Sequence, residues 1–302
     1  MKRFAAAACA VMSSIAVCAA PADSVFSKLS VKENPDMSTL LGGSATLSNA
    51  KNSYGISFSN KRAHGKDPRK FKMAVANGLQ NGFSALVDSF TLTVNGIAAN
   101  RLQLKGDKVR KWSGRNGEEG IVLTFNFDGA WIDVRFSMRP GSPVLWGEVA
   151  KSVNERQLTP ITNVAVRVTA IPSFLECGHG KKTRFSKYAR QVRMASRLLT
   201  LPAKRSEKIK PDDRYFILQD GEYDGSAEGR GNGPSAVWPL APTPGTITLN
   251  DSWTTYVTYN PDLSRPFRFA LLEFKSYRIS NDEFLKRTKA NCAAARWEKA
   301  ER

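Results

Sequence analysis

The chain has 302 residues, 41% of them hydrophobic, with 45 Lys+Arg against 27 Asp+Glu and a formal net charge of +18. That apolar content is enough for a packed core and excludes disorder along the whole chain. The charge favours anionic partners or surfaces.

Lys2 and Arg3 precede an uncharged, Ala-rich apolar run from Phe4 to Ala20 that ends in small residues. This three-part layout is that of a secretory signal peptide over residues 1–22, with Asp23 as the new N-terminus after Ala20-Pro21-Ala22. An N-terminal membrane anchor is the alternative, but the run is short for a span. A lipoprotein acylated at Cys18 is a second alternative, although Val17 is larger than the residue normally found before such a Cys. Cleavage lowers the charge from +18 to +16, because Lys2 and Arg3 leave. The protein is then expected to be secreted or periplasmic.

The mature chain, a single β-sandwich expected over 23–278, reads mainly in period two. Leu86 to Val94 is an expected strand followed by Asn95-Gly96. Ile121, Leu123, Phe125 and Phe127 alternate with Val122, Thr124 and Asn126. After Asp128-Gly129, Ile132, Val134, Phe136 and Met138 alternate with Trp131, Asp133, Arg135 and Ser137. Two alternating runs around Asp-Gly predict a β-hairpin. Further strands are expected at Val144 to Val149, Ile161 to Ile171, Tyr215 to Leu218, Trp253 to Tyr259 and Phe267 to Phe274. No regular βαβ alternation occurs, which argues against a doubly wound parallel fold. The fold class predicted is mostly β, a large antiparallel β-sandwich. At the end, Ser280-Asn281-Asp282-Glu283 is a capping box that predicts a helix within 279–302, packed on the sandwich. Its residues Phe284, Leu285, Thr288, Cys292 and Trp297 fall mostly on one face.

One segment, Lys151-Ser152-Val153-Asn154-Glu155-Arg156-Gln157-Leu158-Thr159-Pro160-Ile161-Thr162-Asn163, has a strand end, an Asn-containing turn, then a hydrophobic residue and Pro before the next strand. It resembles a recurrent pattern of the galactose-mutarotase-like supersandwich superfamily, and the resemblance extends in architecture over residues 40 to 275. It implies sugar binding or processing on the concave face of a sheet. Aldose epimerases of that class use two histidines and a carboxylate. This chain has only His64 and His179, in no matching motif.

The familiar nucleophile and zinc motifs are absent: there is no Gly-x-Ser-x-Gly, no His-Glu-x-x-His and no Cys cluster. Cys177 and Cys292 remain after export and are expected either as one disulfide or as two buried thiols. In Glu176-Cys177-Gly178-His179-Gly180, a His between two glycines is a candidate catalytic base that Glu176 would orient. The simpler alternative is a loop His beside a disulfide. Asp220, Glu222 and Asp224 alternate as at the start of a calcium loop, but Gly231 stands where an EF-hand needs its closing Glu. A looser Ca²⁺ site, an acid and base pair for glycoside chemistry, and an acidic Gly-rich surface loop are the three readings. Arg230 within this loop and Trp238 close behind it are candidate ligand-binding residues.

The positive charge is segmental. Residues 181–214 hold 12 Lys+Arg and 3 acids, residues 51–72 hold 7 and 1, and residues 105–115 hold 5 and 1. Trp112 lies inside the third run. Aromatic rings beside cations suit sugars bearing carboxylates or sulfates. Nucleic acid would suit the charge too, but the export signal and the lack of a nucleic-acid module argue against it. Three readings follow. The first is an exported carbohydrate-binding protein using Trp112, Trp146, Arg230 and Trp238, its ligand an anionic glycan. The second is a polysaccharide-active lyase or epimerase-like enzyme. The third is a non-catalytic envelope protein.

Overall fold

A computed structural model describes residues 24–34, 39–62, 69–77, 90–102, 104–170, 174–175, 184–185, 191–200, 205–219, 235–249, 255–273, 286 and 290. The described residues begin with an antiparallel meander of β1 (Phe26–Asn34), β2 (Thr39–Ser48), β3 (Ser53–Arg62) and β4 (Arg69–Asn77). The hairpin β5 (Phe90–Val94) and β6 (Ile97–Ala98) follows. Next come β7 (Val109–Ser113), β8 (Glu119–Phe127), β9 (Ala130–Met138), β10 (Leu145–Lys151) and β11 (Val164–Ala170). After the short pair β12 (Phe174–Leu175) and β13 (Arg184–Phe185) stand β14 (Gln191–Met194), β15 (Leu198–Thr200), β16 (Arg205–Lys208) and β17 (Phe216–Gln219). The last four are β18 (Ser235–Pro239), β19 (Gly245–Leu249), β20 (Thr255–Tyr259) and β21 (Phe267–Glu273).

Two sheets carry the body. The larger has nine strands in the order β15-β14-β17-β18-β21-β10-β9-β8-β7, the smaller six in the order β16-β19-β20-β11-β5-β6. The protein is thus a mostly β, antiparallel β-sandwich, as the alternating pattern predicts. Period two decides which side chains enter the core. On β9, Ala130, Ile132, Val134, Phe136 and Met138 are buried between the sheets, and Trp131, Asp133 and Arg135 between them point away. Aromatic contacts join the layers: Phe90 of the small sheet meets Phe136 edge-on at 5.4 Å and Phe269 stacked at 6.0 Å. Tyr259 of the small sheet meets Phe216 at 6.1 Å.

The turns follow the backbone demands of their residues. Asp128 and Gly129 have φ of 53° and 86°, and Asn95 and Gly96 have 49° and 79°. Positive φ at both central positions is the type I′ geometry that Asn-Gly and Asp-Gly adopt at low cost. The segment that carries the sequence resemblance crosses from β10 to β11, hence from the large sheet to the small one, and is tied to both turns. Leu158 N donates to Gly129 O at 2.9 Å, and Thr159 Oγ1 donates to Asp128 O at 2.6 Å. Asn95 Nδ2 donates to Pro160 O at 2.7 Å, while its Oδ1 accepts from Thr162 N at 3.0 Å.

The four-stranded meander has no counterpart among the expected strands. Its inward residues Ala45, Leu47, Tyr54 and Ile56 join the main core. The β2–β3 turn grips the turn between β9 and β10: Asn49 Nδ2 donates to Arg139 O at 2.9 Å and Ser142 O at 2.7 Å. Asn52 Nδ2 and Tyr54 Oη both donate to Pro143 O, at 3.0 and 2.8 Å. The expected signal peptide with Cys18 lies outside the described residues. So does the expected C-terminal helix, apart from Lys286 and Ala290, each of which is helical.

Candidate functional site

The outer face of the nine-stranded sheet is the side away from the small sheet. Register places residues 112, 120, 137, 146, 270 and 238 in one cross-strand row: Trp112 faces Gly120, which faces Ser137, then Trp146, Ala270 and Trp238. Directly paired residues share a face. The three tryptophans expected at the site are therefore aligned, although they come from strands up to 126 positions apart. Their exposure differs. Trp112 is partly exposed, whereas Trp146 and Trp238 are 4% and 3% exposed. The two buried rings belong to an apolar half of the face with Val144, Tyr215, Ile217, Ala236, Ala270 and Leu272. Trp112 stands in the other half, which is polar.

That polar half is built from the outward positions of β7 to β10 and β21. Arg135 lies over the Trp112 ring at 4.0 Å, and Arg139 lies over the Trp146 ring at 4.8 Å. A planar guanidinium against an indole face gains both dispersion and attraction to the ring quadrupole. Each guanidinium is also held by an acid. Arg135 Nη2 donates to Glu148 Oε2 at 3.0 Å, and Arg268 Nε donates to the same oxygen at 2.7 Å. Arg139 Nε donates to Glu118 Oε2 at 3.1 Å, and Ser137 Oγ to Glu118 Oε1 at 2.6 Å. Farther along, Arg110 Nη2 donates to Asp133 Oδ2 at 3.2 Å and Nη1 to Thr124 Oγ1 at 2.9 Å, and Thr124 donates to Asp133 Oδ1 at 2.6 Å.

Beside this pair, the Lys108 ammonium lies 5.2 Å from the Trp131 ring centroid. Lys108 is hydrogen-bonded to Glu155, and that bond, against the opposing effect of burial, holds its pKa above the ordinary lysine value. The third basic run of the sequence is therefore not a bare positive surface. Its Lys108 and Arg110 are each paired with a carboxylate, and the face offers alternating donors and acceptors beside aromatic rings. In the first basic run, Arg197 is likewise paired, donating to Asp213 Oδ2 at 2.8 Å.

One glycine sets the Trp112 ring. A Cβ on Gly114 would lie 2.3 Å from the far corner of the indole. The bare backbone there lets the ring fold back over the strand end, against Arg135.

Of the other expected site residues, Glu176, His179, Arg230, Asp220, Glu222 and Asp224 lie outside the described residues, as do Cys177 and Cys292. Among the described residues no group of three His, Cys, Asp or Glu side chains is close enough to hold a metal ion. No described helix is long and apolar enough to cross a membrane. Sequence reading missed Arg110, Glu118, Asp133, Arg135, Arg139 and Glu148. The signal was partly available: Trp131, Asp133, Arg135 and Ser137 are the polar phase of the hairpin's alternation, an unusual set for a merely solvated surface.

No family model matches the chain, and no curated protein matches it. A solved structure similar to it is the crystal structure of the GH36 alpha-galactosidase AgaB from Geobacillus stearothermophilus, at 9% sequence identity and a TM-score of 0.38. The match covers 82% of this chain and 41% of the length of that one.

Proposed function

We propose that this is an exported protein that binds a carbohydrate bearing acidic groups on the polar half of the outer face. The reading rests on one observation above all: Trp112 is partly exposed and backed by Arg135, which is paired with Glu148 as Arg268 is, while Arg110 and Asp133 form a second ion pair on the same face. A sugar ring has an apolar face of axial C–H groups and an equatorial rim of hydroxyls. An indole takes the first, and paired carboxylates and guanidinia take the second. A uronate or sulfate would bond to a guanidinium edge in the same way that Glu148 does.

Export follows from the N-terminal layout and is part of the proposal. A glycan-array screen of the mature protein at low and high salt tests the reading, with Trp112→Ala beside the wild type. The expected result is binding to uronate or sulfated glycans that weakens with salt and is lost in Trp112→Ala. Absence of binding to every glycan would overturn it.

A further inference from the structure

Trp131 takes no part in the core and was not among the residues expected to bind. It projects from the outer face of β9, on the same side as Trp112, between the buried Ala130 and Ile132. It is partly exposed. Its backbone is clamped on both sides by one side chain: Gln157 Oε1 accepts from Trp131 N at 2.8 Å, and Gln157 Nε2 donates to Trp131 O at 3.0 Å. Ser152 N donates to the same carbonyl at 3.0 Å. The indole is oriented by the Lys108 ammonium, itself fixed by Glu155. An aromatic ring on a backbone fixed in this way, with a cation against it and on a face turned away from the core, is preorganised as a platform.

Its position gives the platform a meaning. Trp112 stands in the row of Ser137, and Trp131 lies six positions from Ser137 along the same strand. At a strand rise of about 3.3 Å the two rows are about 20 Å apart. Between them run Arg135 with Glu148, then Arg110 with Asp133 and Thr124. The track therefore reads indole, ion pair, ion pair, indole. One sugar ring, about as large as one indole, cannot touch both ends.

We infer that Trp131 is the far aromatic platform of an extended site, whose ligand is an oligosaccharide long enough to reach from Trp112 to Trp131. This rests on the carbohydrate reading of the same face. Each stacked ring adds to affinity only when the chain is long enough to reach it.

Calorimetric titration of the mature protein with size ladders of galacturonate, alginate, hyaluronan and chondroitin sulfate oligomers tests this. In at least one ladder, affinity is expected to rise with length and then level off. Trp131→Ala is expected to remove about tenfold from the long oligomers and to leave the shortest bound ones unchanged. Trp131→Phe, which keeps a ring and guards against a folding defect, is expected to retain most of the gain with length. Binding that is equally tight at every length, or a Trp131→Ala protein that binds long oligomers as the wild type does, would overturn the extended site and leave the carbohydrate reading standing. A wild type that binds no member of any ladder would overturn both.

Discussion

Arg135 lies 4.0 Å from the centre of the Trp112 ring and donates at 3.0 Å to Glu148. A single planar group thus joins the aromatic part of the face to its acidic part. Lysine carries the same charge but neither the plane nor the fork. Arg135→Lys is expected to lower glycan affinity about tenfold with little change in the cooperativity of unfolding, measured by calorimetric titration beside urea denaturation. Equal affinity in the two proteins would mean that charge alone matters there.

Gly114 is expected to act through the same ring. Its backbone is extended, with φ −104° and ψ −172°, so alanine is tolerated by the main chain. The added methyl would instead meet the Trp112 indole. The ring is expected to move, because it belongs to a partly exposed side chain on the edge strand β7. Gly114→Ala should therefore change the tryptophan fluorescence and reduce binding several-fold, while the melting temperature moves by only a few degrees.

Asp213 tests the packing of the loop before β17. Its side chain is 0% exposed and accepts from Ser196, from Arg197 through two nitrogens, and from the Lys210 amide. Burial pushes its carboxyl upward, but the hydrogen bonds from Arg197, Lys210 and Ser196 prevail and hold it below the ordinary 3.8. A carboxyl with a depressed folded pKa stabilises the fold above its unfolded pKa, and that contribution disappears as pH falls through the folded value. Asp213→Asn should cost about 3 kcal/mol at neutral pH, because it breaks a buried pair and leaves Arg197 with its bond to Lys208 O but without its charged partner. The gap between wild type and variant should narrow below about pH 4, read by denaturant midpoints across a pH series.

Tyr259 presents the opposite case. Its hydroxyl lies in the core with no hydrogen-bond partner among the described residues, and burial raises its pKa well above 10.0. A raised folded pKa leaves stability intact below the unfolded value of about 10, and stability is lost as pH rises beyond it. Tyr259→Phe keeps the ring contacts with Phe216 and Phe267 and removes the unsatisfied oxygen. It should be neutral or stabilising by about 1 kcal/mol at neutral pH, and should shift alkaline unfolding to higher pH. A loss of more than that would reveal a hydroxyl partner.

Much of the sandwich was legible because its cause is local. The Asp128-Gly129 hairpin and the inward phase of β8 and β9 follow from residues adjacent in the chain. The β1–β4 meander was not legible, because strands such as Thr39–Ser48 mix Gly, Ser and Thr with few bulky apolar residues and lack a clear alternation. The site lay between these limits. Trp112, Trp146 and Trp238 were each nameable as aromatics, but their alignment depends on register across six strands. The burial of two of them depends on an apolar half-face assembled from β10, β17, β18 and β21. Ion pairs such as Arg268 with Glu148, 120 positions apart, leave no trace in local pattern.

The grip of Asn49, Asn52 and Tyr54 on the β9–β10 turn spans about ninety positions. Asn49 and Asn52 close the β2–β3 turn locally, but the inward residues Ala45, Leu47, Tyr54 and Ile56 have no core to join until that much later hairpin has been made. During synthesis at about 5–20 residues per second, the apolar face of this meander therefore waits uncovered for seconds. A meander that waits in this way stays open to misassembly until the sandwich closes over it.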